Sequence, residues 1–284
     1  MLIETVRDLT AKEYELFRRL VYEKSGINLG EQKQQLVRAR LGKRLRAGKF
    51  SSYRAYYEYV KDDATGRELS ALLDAISTNT THLFRERQHF EFLAETVRRW
   101  ASDRAWRARH DALRIWSAGC SSGEEPYSLA MTVDDVLCTL GGVDWRILAT
   151  DISTRVLDRA RAGTYETHRL GTVAEGYRRR YFVHGPDGDE ASVQVCPELR
   201  RRITFAHFNL MTERFPFRHG FHLIFCRNVM IYFDRPTQEA LVGRFAQQLR
   251  PDGYLVIGHS ESLNAIQHPL TYVRPTIYQK GATG

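Results

Sequence analysis

The stretch IWSAGCSSGEEPYSLA, residues 115–130, decides the fold class of this 284-residue chain. The apolar run from Leu113 to Trp116 predicts a buried strand, and a turn rich in glycine and serine follows it. Pro126 then occupies a position that the first turn of a helix tolerates, and apolar residues continue at helical spacing from Leu129. A strand, a glycine turn and a helix form the entrance of a nucleotide-type site, because glycine has no Cβ to keep a ligand from the backbone.

The same turn indicates which ligand it would bind. It has neither the G-x-G-x-x-G spacing of a dinucleotide site nor the Lys-Ser/Thr of a P-loop. Glu124 and Glu125, at the start of the predicted helix, would repel a phosphate and would suit a ligand with positive charge or hydroxyl groups. S-adenosylmethionine has a sulfonium, an ammonium and a ribose but no phosphate, so this turn favours it. An ordinary strand-to-helix turn without a ligand is the alternative.

The composition predicts a soluble globular protein with one large or two modest domains. Hydrophobic residues make up 43% of the chain, and no apolar run approaches the ~20 residues that span a bilayer. The four cysteines form no C-x-x-C pair and the N-terminus does not resemble a signal peptide, so we expect reduced cytosolic thiols and no zinc site. The net charge of +8 predicts an acidic partner, either nucleic acid or an acidic protein surface.

Two regions differ in their patterning. Residues 1–77 predict an all-helical domain, and residues 78–284 predict a domain in which strands and helices alternate from about Leu113. Such alternation is typical of a mostly parallel sheet covered by helices on both faces. The helices predicted in the first region are 11–25, 32–47, 51–60 and 67–76. The later elements are strands at 146–150, 203–208, 221–226 and 254–258, helices at 154–162 and 236–249, and a closing hairpin at 271–279.

One interval is too long for this alternation. The strand ends at Asp151 and Asn209 lie 58 positions apart, about twice what a helix and two turns need. The excess contains two short apolar runs, 180–183 and 192–195, separated by a Pro186-Asp187-Gly188 turn. We therefore expect a small antiparallel β subdomain inserted at about residues 165–202.

Ligands of open parallel sheets bind beyond the carboxyl ends of the strands. The residues predicted at those ends are Gly119, Asp151, Asn209 and Asn228. An acidic residue that closes the second strand usually binds ribose hydroxyls, so we assign that role to Asp151. The alternative is that Asp151 caps the following helix, but Ser153 and Thr154 lie nearer the predicted helix start and fill that role better.

The segment that joins the two regions is ambiguous on its own. Residues 78–86 carry small polar residues followed by Phe84-Arg85-Glu86. Without further information, an N-capping run for a helix from Glu86 to Trp100 is the favoured interpretation.

Five motifs occur in a fixed order along the chain. They are N-x-T-x-x-F-R-E at 79–86, G-E-E-P-Y-S at 123–128, A-T-D-I at 149–152, F-N-L at 208–210 and F-C-R-N-V-M-I-Y-F-D at 225–234. In these motifs and their order the chain resembles the CheR family of chemotaxis receptor methyltransferases over nearly its whole length. The run at 225–234 is the longest and most specific of them.

The resemblance implies a fold and an activity. The fold is a class I S-adenosylmethionine-dependent methyltransferase, Rossmann-like, with an N-terminal all-helical domain and a small inserted antiparallel β subdomain. The activity is methyl transfer from S-adenosylmethionine to glutamate side-chain carboxylates of a chemoreceptor. It gives methyl esters and S-adenosylhomocysteine in sensory adaptation. The implied location is the cytoplasm, in association with membrane receptor arrays.

The resemblance also assigns roles to matching positions. Arg85 and Tyr232 would act at the methyl-transfer site. The implied cofactor-binding residues are Asn79, Thr81, Arg85, Glu125, Asp151, Asn209, Leu210, Arg227 and Asn228. No metal is implied. His82 and Leu83 stand where other members often carry different residues.

The predicted helix at 32–47 carries Arg40, Lys43 and Arg46 opposite its apolar stripe, and we expect these three to bind an acidic receptor surface. A solvated face is the alternative. Whether the β subdomain docks a receptor C-terminal peptide stays open. A nucleic-acid methyltransferase is disfavoured, because residues 227–230 replace the Asn/Asp-Pro-Pro-Tyr/Phe segment that adenine-N6 enzymes usually carry. We therefore expect no nucleic acid and no membrane insertion, and the intact site residues argue against an inactive scaffold.

Overall fold

The computed structural model describes residues 8–185 and 191–281. The described chain begins with four helices: α1 Ala11–Ser25, α2 Gln34–Gly48, α3 Tyr53–Asp62 and α4 Arg67–Ile76. α1 has the predicted bounds because both ends are encoded locally: Thr10 and Glu13 form a capping box, and Gly26 ends the helix with φ of +71°. α2 begins two residues later than predicted, after a 3-10 turn at Glu31–Lys33.

These four helices bury their own core. The predicted stripe of Val37, Leu41 and Leu45 is confirmed, since each side chain is at most 1% exposed. Phe17 and Tyr56 pack against each other with ring centroids 6.0 Å apart. We refer to α1–α4 as the helical domain.

The rest of the chain is built on a seven-stranded sheet. Its strands are β1 Ala112–Ala118, β2 Asp144–Asp151, β6 Ile203–His207, β7 Phe221–Cys226, β8 Leu249–Ile257, β9 Leu270–Arg274 and β10 Ile277–Lys280. They lie in the order β6-β2-β1-β7-β8-β10-β9. The first five of that order pair in parallel, and β10 pairs antiparallel with both β8 and β9. The predicted parallel sheet with a closing hairpin is confirmed.

Helices cover both faces of this sheet. The helices in this part of the chain are α5 Gln88–Ser102, α6 Arg104–Arg109, α7 Glu124–Leu140, α8 Thr154–Ala162, α9 Glu175–Tyr181, α10 Pro197–Arg200 and α11 Arg235–Gln248. Ile115 and Trp116 are both fully buried, in two different apolar clusters, because successive strand residues point to opposite faces. Among the described residues, no helix combines the length and apolarity that crossing a bilayer requires.

A second, three-stranded antiparallel sheet confirms the predicted insertion. Its strands are β3 Thr164–Glu166, β4 Phe182–His184 and β5 Ser192–Val195, in the order β3-β5-β4. β3 was not predicted, because three residues are too few to show a period. The predicted Pro186-Asp187-Gly188 turn lies outside the described residues.

The strand order fixes the place of a ligand site. From β1 the chain runs outward to β2 and β6 and then returns to β7 on the other side of β1. This reversal opens a crevice at the carboxyl ends of β1 and β7. The glycine turn follows β1 there, and Arg227 follows β7.

Candidate functional site

The glycine turn after β1 is tightly folded against the loop after β7. Gly119 has φ of +86°, and a Cβ on it would lie 2.4 Å from a methyl carbon of Val229. Gly123 has φ of +97° and precedes α7 directly. Both positions therefore need glycine, one for close approach and one for the turn into the helix.

Asp151 joins this turn to the end of β2. Its Oδ2 accepts from the Ser121 N–H at 2.8 Å and its Oδ1 from the Ser153 N–H at 2.9 Å. Burial raises the pKa of Asp151, and these N–H donors act against that shift. Each carboxylate oxygen has a further lone pair, so ribose hydroxyls can still be accepted. The helix-capping role belongs to Ser153, whose hydroxyl accepts from the Val156 N–H, as the sequence predicts.

All the predicted cofactor-binding and catalytic residues line one cleft at this edge of the sheet. They are Asn79, Thr81, Arg85, Glu125, Asp151, Asn209, Leu210, Arg227, Asn228 and Tyr232. The cleft combines a glycine turn, the carboxylates of Glu125 and Asp151, and apolar walls at Leu210 and Phe208. These groups suit a nucleoside that carries a positive charge and hydroxyl groups but no phosphate. S-adenosylmethionine is such a molecule. Their contacts to it stay a prediction.

The helical domain forms the other wall of the cleft, which the sequence did not reveal. Ile27, Leu29, Lys33 and Leu36 line it. The Asn28 N–H donates to the Tyr232 carbonyl at 2.8 Å, and the Lys33 ammonium lies 5.7 Å from the centroid of the Tyr232 ring. Asn209 also bridges the two parts, since its Nδ2 donates to the Lys24 carbonyl at 2.6 Å.

Arg227 lies at the floor of the cleft between two acidic side chains. Its Nη1 donates to Glu125 Oε2 at 3.1 Å and its Nη2 to Glu86 Oε2 at 3.0 Å, while Nη2 also donates to the Arg85 carbonyl. The Arg227 side chain is 2% exposed. Burial raises the pKa of Glu125, and the Arg227 charge opposes that rise. Arg227 therefore ties the end of β7 to the start of α7 and to the loop that carries Arg85.

Glu86 also belongs to a cluster with His89 and His259, whose possible ligand atoms lie within 4.8 Å of one another. The Arg227 guanidinium already binds Glu86, and its charge opposes a second cation there. Burial lowers the pKa of His89 to about 3, so its ring is neutral at physiological pH. We therefore interpret this cluster as part of the ion-pair network around Arg227 and not as a metal site.

Arg85 and Tyr232 enter the cleft from different segments. Arg85 is half-buried, and its Nη1 donates to the Thr80 carbonyl at 3.1 Å. Its neighbours Phe84 and Glu86 have φ of +56° and +60°, so the loop that presents Arg85 is conformationally strained. Tyr232 ends a 3-10 turn, and its hydroxyl lies 3.4 Å from the Thr78 carbonyl.

Asn79 and Thr81, two further predicted site residues, are hydrogen-bonded to neighbouring residues. Asn79 donates from Nδ2 to the Ser77 hydroxyl at 3.2 Å. The Thr81 carbonyl accepts from Arg169 at 3.2 Å, which connects the insertion to the cleft.

The three predicted receptor-binding residues differ in their surroundings. Arg40 is half-buried and donates to the Ile76 and Ser77 carbonyls and to the Thr78 hydroxyl, so it secures the junction after the helical domain. Lys43 and Arg46 are exposed, and neither makes an ion pair with a described residue. Receptor binding by the three stays a prediction.

Comparison with known proteins agrees with this geometry. Residues 12–77 match the family described as "CheR methyltransferase, all-alpha domain", and residues 79–278 match "CheR methyltransferase, SAM binding domain". The chain is 38% identical to the chemotaxis protein methyltransferase of Borreliella burgdorferi over 275 residues, which cover 96% of this chain and 95% of that protein. It is 39% identical to that of Salmonella typhimurium over 265 residues, covering 92% of this chain and 88% of that protein. The corresponding protein of Escherichia coli is 38% identical over 265 residues, covering 92% and 89%.

These matches include nearly all of the helical domain and every predicted site residue, and they confirm the predicted fold class and cofactor. The chain therefore belongs to the CheR methyltransferase family, as a class I methyltransferase with an S-adenosylmethionine-binding domain at residues 79–278.

Proposed function

We propose that this protein methylates glutamate side-chain carboxylates of a chemoreceptor, with S-adenosylmethionine as the methyl donor. The observation that carries the proposal is the convergence of Arg85 and Tyr232 on the cleft formed by the glycine turn and Asp151. Support for the substrate comes from the similar proteins, which are named chemotaxis protein methyltransferases.

The chain's own residues suit the cofactor. Asp151 would accept the ribose hydroxyls, Asn209 and Leu210 would flank the adenine, and Glu125 would lie on the methionine side. Asn79, Thr81, Arg227 and Asn228 would complete the cofactor site. When bound, S-adenosylmethionine supplies a methyl group on a positively charged sulfur.

The reaction requires no general base from the protein. A glutamate side chain has an unperturbed pKa of about 4.3 and is already ionised at neutral pH. The described residues that line the cleft include no histidine, which agrees with this requirement. Catalysis then depends on holding the carboxylate in line with the methyl group.

Arg85 and Tyr232 are the residues placed for that task. One Arg85 nitrogen binds the Thr80 carbonyl, and the guanidinium has further N–H groups with which to orient a carboxylate. Tyr232 can direct the carboxylate with its hydroxyl and exclude water with its ring. A dry cleft favours the reaction, because opposite charges of donor and acceptor neutralise each other as the bond forms.

The receptor would approach the helical domain side of the cleft. Lys43 and Arg46 would bind its acidic surface, and such docking places the protein at receptor arrays. β4 is an edge strand of the small sheet, which is the geometry that a receptor peptide needs to add as a further strand.

The test is incubation with methyl-labelled S-adenosylmethionine and a receptor cytoplasmic fragment, followed by base treatment. Carboxyl methyl esters release labelled methanol under base, whereas N-methyl groups do not. Parallel reactions contain DNA or RNA in place of the receptor. Base-labile label on the receptor supports the proposal. Base-stable label, or label on nucleic acid, contradicts it.

A further inference from the structure

The side chain of Glu261 accepts from four backbone N–H groups of the loop that follows β7 and from one N–H directly after β8. Its Oε1 accepts from Val229 at 2.9 Å, Met230 at 2.7 Å and Ile231 at 3.3 Å. Its Oε2 accepts from Asn228 at 2.9 Å and Gly258 at 2.6 Å. Successive N–H groups of this kind form a concave anion site, and here a side chain of the same protein fills it.

This loop is held on both of its sides. Behind it, a Cβ on Gly258 would lie 2.6 Å from Asn228 Nδ2 and 2.9 Å from Glu261 Oε2. In front of it, Val229 contacts Gly119 of the glycine turn so closely that a Cβ on Gly119 would clash. Asn228 has φ of +59°, a conformation that a non-glycine residue keeps only when its surroundings enforce it.

The loop carries two residues of the site. Asn228 lies at its start and Tyr232 at its end, and both line the cleft. Glu261 itself does not line the cleft and is 8% exposed, so it cannot contact the methyl acceptor directly.

We propose that Glu261 is a positioning residue for methyl transfer: its carboxylate fixes the loop 228–231 and thereby sets the position of the Tyr232 hydroxyl. The inference deepens the proposed function, because it takes Tyr232 to act on the methyl acceptor. The sequence signal is the short G-H-S-E run at 258–261, in which Glu261 binds the loop and the Gly258 N–H donates to Glu261.

The decisive variant is Glu261→Gln. The amide has one oxygen in place of two, and its NH₂ faces backbone donors, so at least two of the five hydrogen bonds are lost. We expect kcat to fall by tenfold or more, while the dissociation constant of S-adenosylhomocysteine changes by less than that. Amide hydrogen exchange at residues 229–231 should become faster.

The matched control is Glu68→Gln. Glu68 is also 8% exposed, and it pairs with Arg44 inside the helical domain, away from the cleft. It should lose stability without loss of kcat when assayed well below its unfolding temperature.

A double-mutant cycle separates positioning from general destabilisation. If Glu261 acts through the Tyr232 hydroxyl, Glu261→Gln should lower kcat by less than threefold in a Tyr232→Phe background. Equal fold losses in both backgrounds would overturn the proposal. So would wild-type kcat in Glu261→Gln, or unchanged hydrogen exchange at 229–231. If the label proves base-stable, the proposed function fails, but the role of Glu261 can still be tested. The double-mutant cycle is then measured with the base-stable product as the readout. The hydrogen-exchange experiment needs no substrate and is unaffected.

Discussion

The Asp151 carboxylate accepts a hydrogen bond of 2.8 Å from the backbone N–H of Ser121 and so links the end of β2 to the glycine turn after β1. This carboxylate has two tasks in one place. It holds the turn, and we predict that its remaining lone pairs accept the ribose hydroxyls in the cleft that Asp151 lines.

Asp151→Ala should therefore weaken binding of S-adenosylhomocysteine by at least tenfold. A charge-assisted hydrogen bond contributes roughly 1.5–3 kcal/mol, and 1.4 kcal/mol corresponds to tenfold in affinity. Isothermal titration calorimetry measures the change. Asp158→Ala is the control, because Asp158 lies on the adjacent helix α8 with 76% of its side chain exposed. An unaltered dissociation constant for Asp151→Ala would remove the ribose assignment.

Arg227 and its two acidic partners predict a large effect on stability. Arg227→Met leaves the Glu86 and Glu125 side chains, each only 11% exposed, without their shared cation, which should lower the free energy of unfolding by about 3–5 kcal/mol. Urea denaturation provides the measurement. Arg146→Met is the control, since Arg146 forms an exposed pair with Asp144 and should cost less than about 1 kcal/mol. Equal losses of unfolding free energy in the two variants would show that the Arg227 ion pairs stabilise the protein no more than an exposed ion pair does.

Stability should fall in mild acid because of buried histidine. Burial lowers the pKa of His222 to about 3, whereas the unfolded side chain titrates near 6.5. Between these values the unfolded state binds a proton that the folded state does not, so this contribution is complete above pH ~6.5 and is lost as pH falls. At pH 5 the loss is about 2 kcal/mol for this histidine.

His222→Asn should reduce that acid sensitivity. Asparagine does not titrate, and its carbonyl can replace His222 Nδ1, which accepts from the Arg114 N–H at 3.0 Å. The measurement is the difference in unfolding free energy between pH 7 and pH 5. His168→Asn, at a side chain 77% exposed, serves as the control. The prediction is wrong if the His222 variant loses as much stability in acid as the wild type.

The features that the sequence predicted well are local ones. The bounds of α1 follow from apolar spacing and from caps at both ends, and those of α4 from apolar spacing alone. The glycine turn after β1 and the carboxyl-end position of Asp151 follow from one strand–turn–helix pattern. The family resemblance predicted the remaining site residues, and in the structure all of them line one cleft.

The features that were missed depend on contacts between distant segments. Glu261 binds residues about 30 positions away, and Glu86 binds Arg227 across 141 positions. No periodic pattern marks such pairs. Helical spacing predicted Arg40 on the face opposite the apolar stripe. It could not show that this long side chain reaches back to the carbonyls at 76 and 77.

The position of Arg40 sharpens the test of receptor binding. Reversing Arg40 would also break the junction after the helical domain, so a change in kinetics would have two explanations. Lys43→Glu with Arg46→Glu avoids this difficulty, because both side chains are exposed. The double variant should raise the apparent KM for the receptor fragment and leave the affinity for S-adenosylhomocysteine unchanged.

The expected increase in KM for the receptor fragment follows from the strength of exposed ion pairs. Two exposed ion pairs at ~0.2–1 kcal/mol each correspond to an increase in KM of between about twofold and thirtyfold. The increase should shrink at high salt, because exposed charges are screened over ~10 Å at 0.1 M ionic strength. Lys12→Glu with Lys61→Glu is the control, since it makes the same change in net charge on exposed parts of α1 and α3. If both double variants raise KM equally, the receptor senses only the overall charge. If neither does, α2 presents a solvated face and the receptor docks elsewhere.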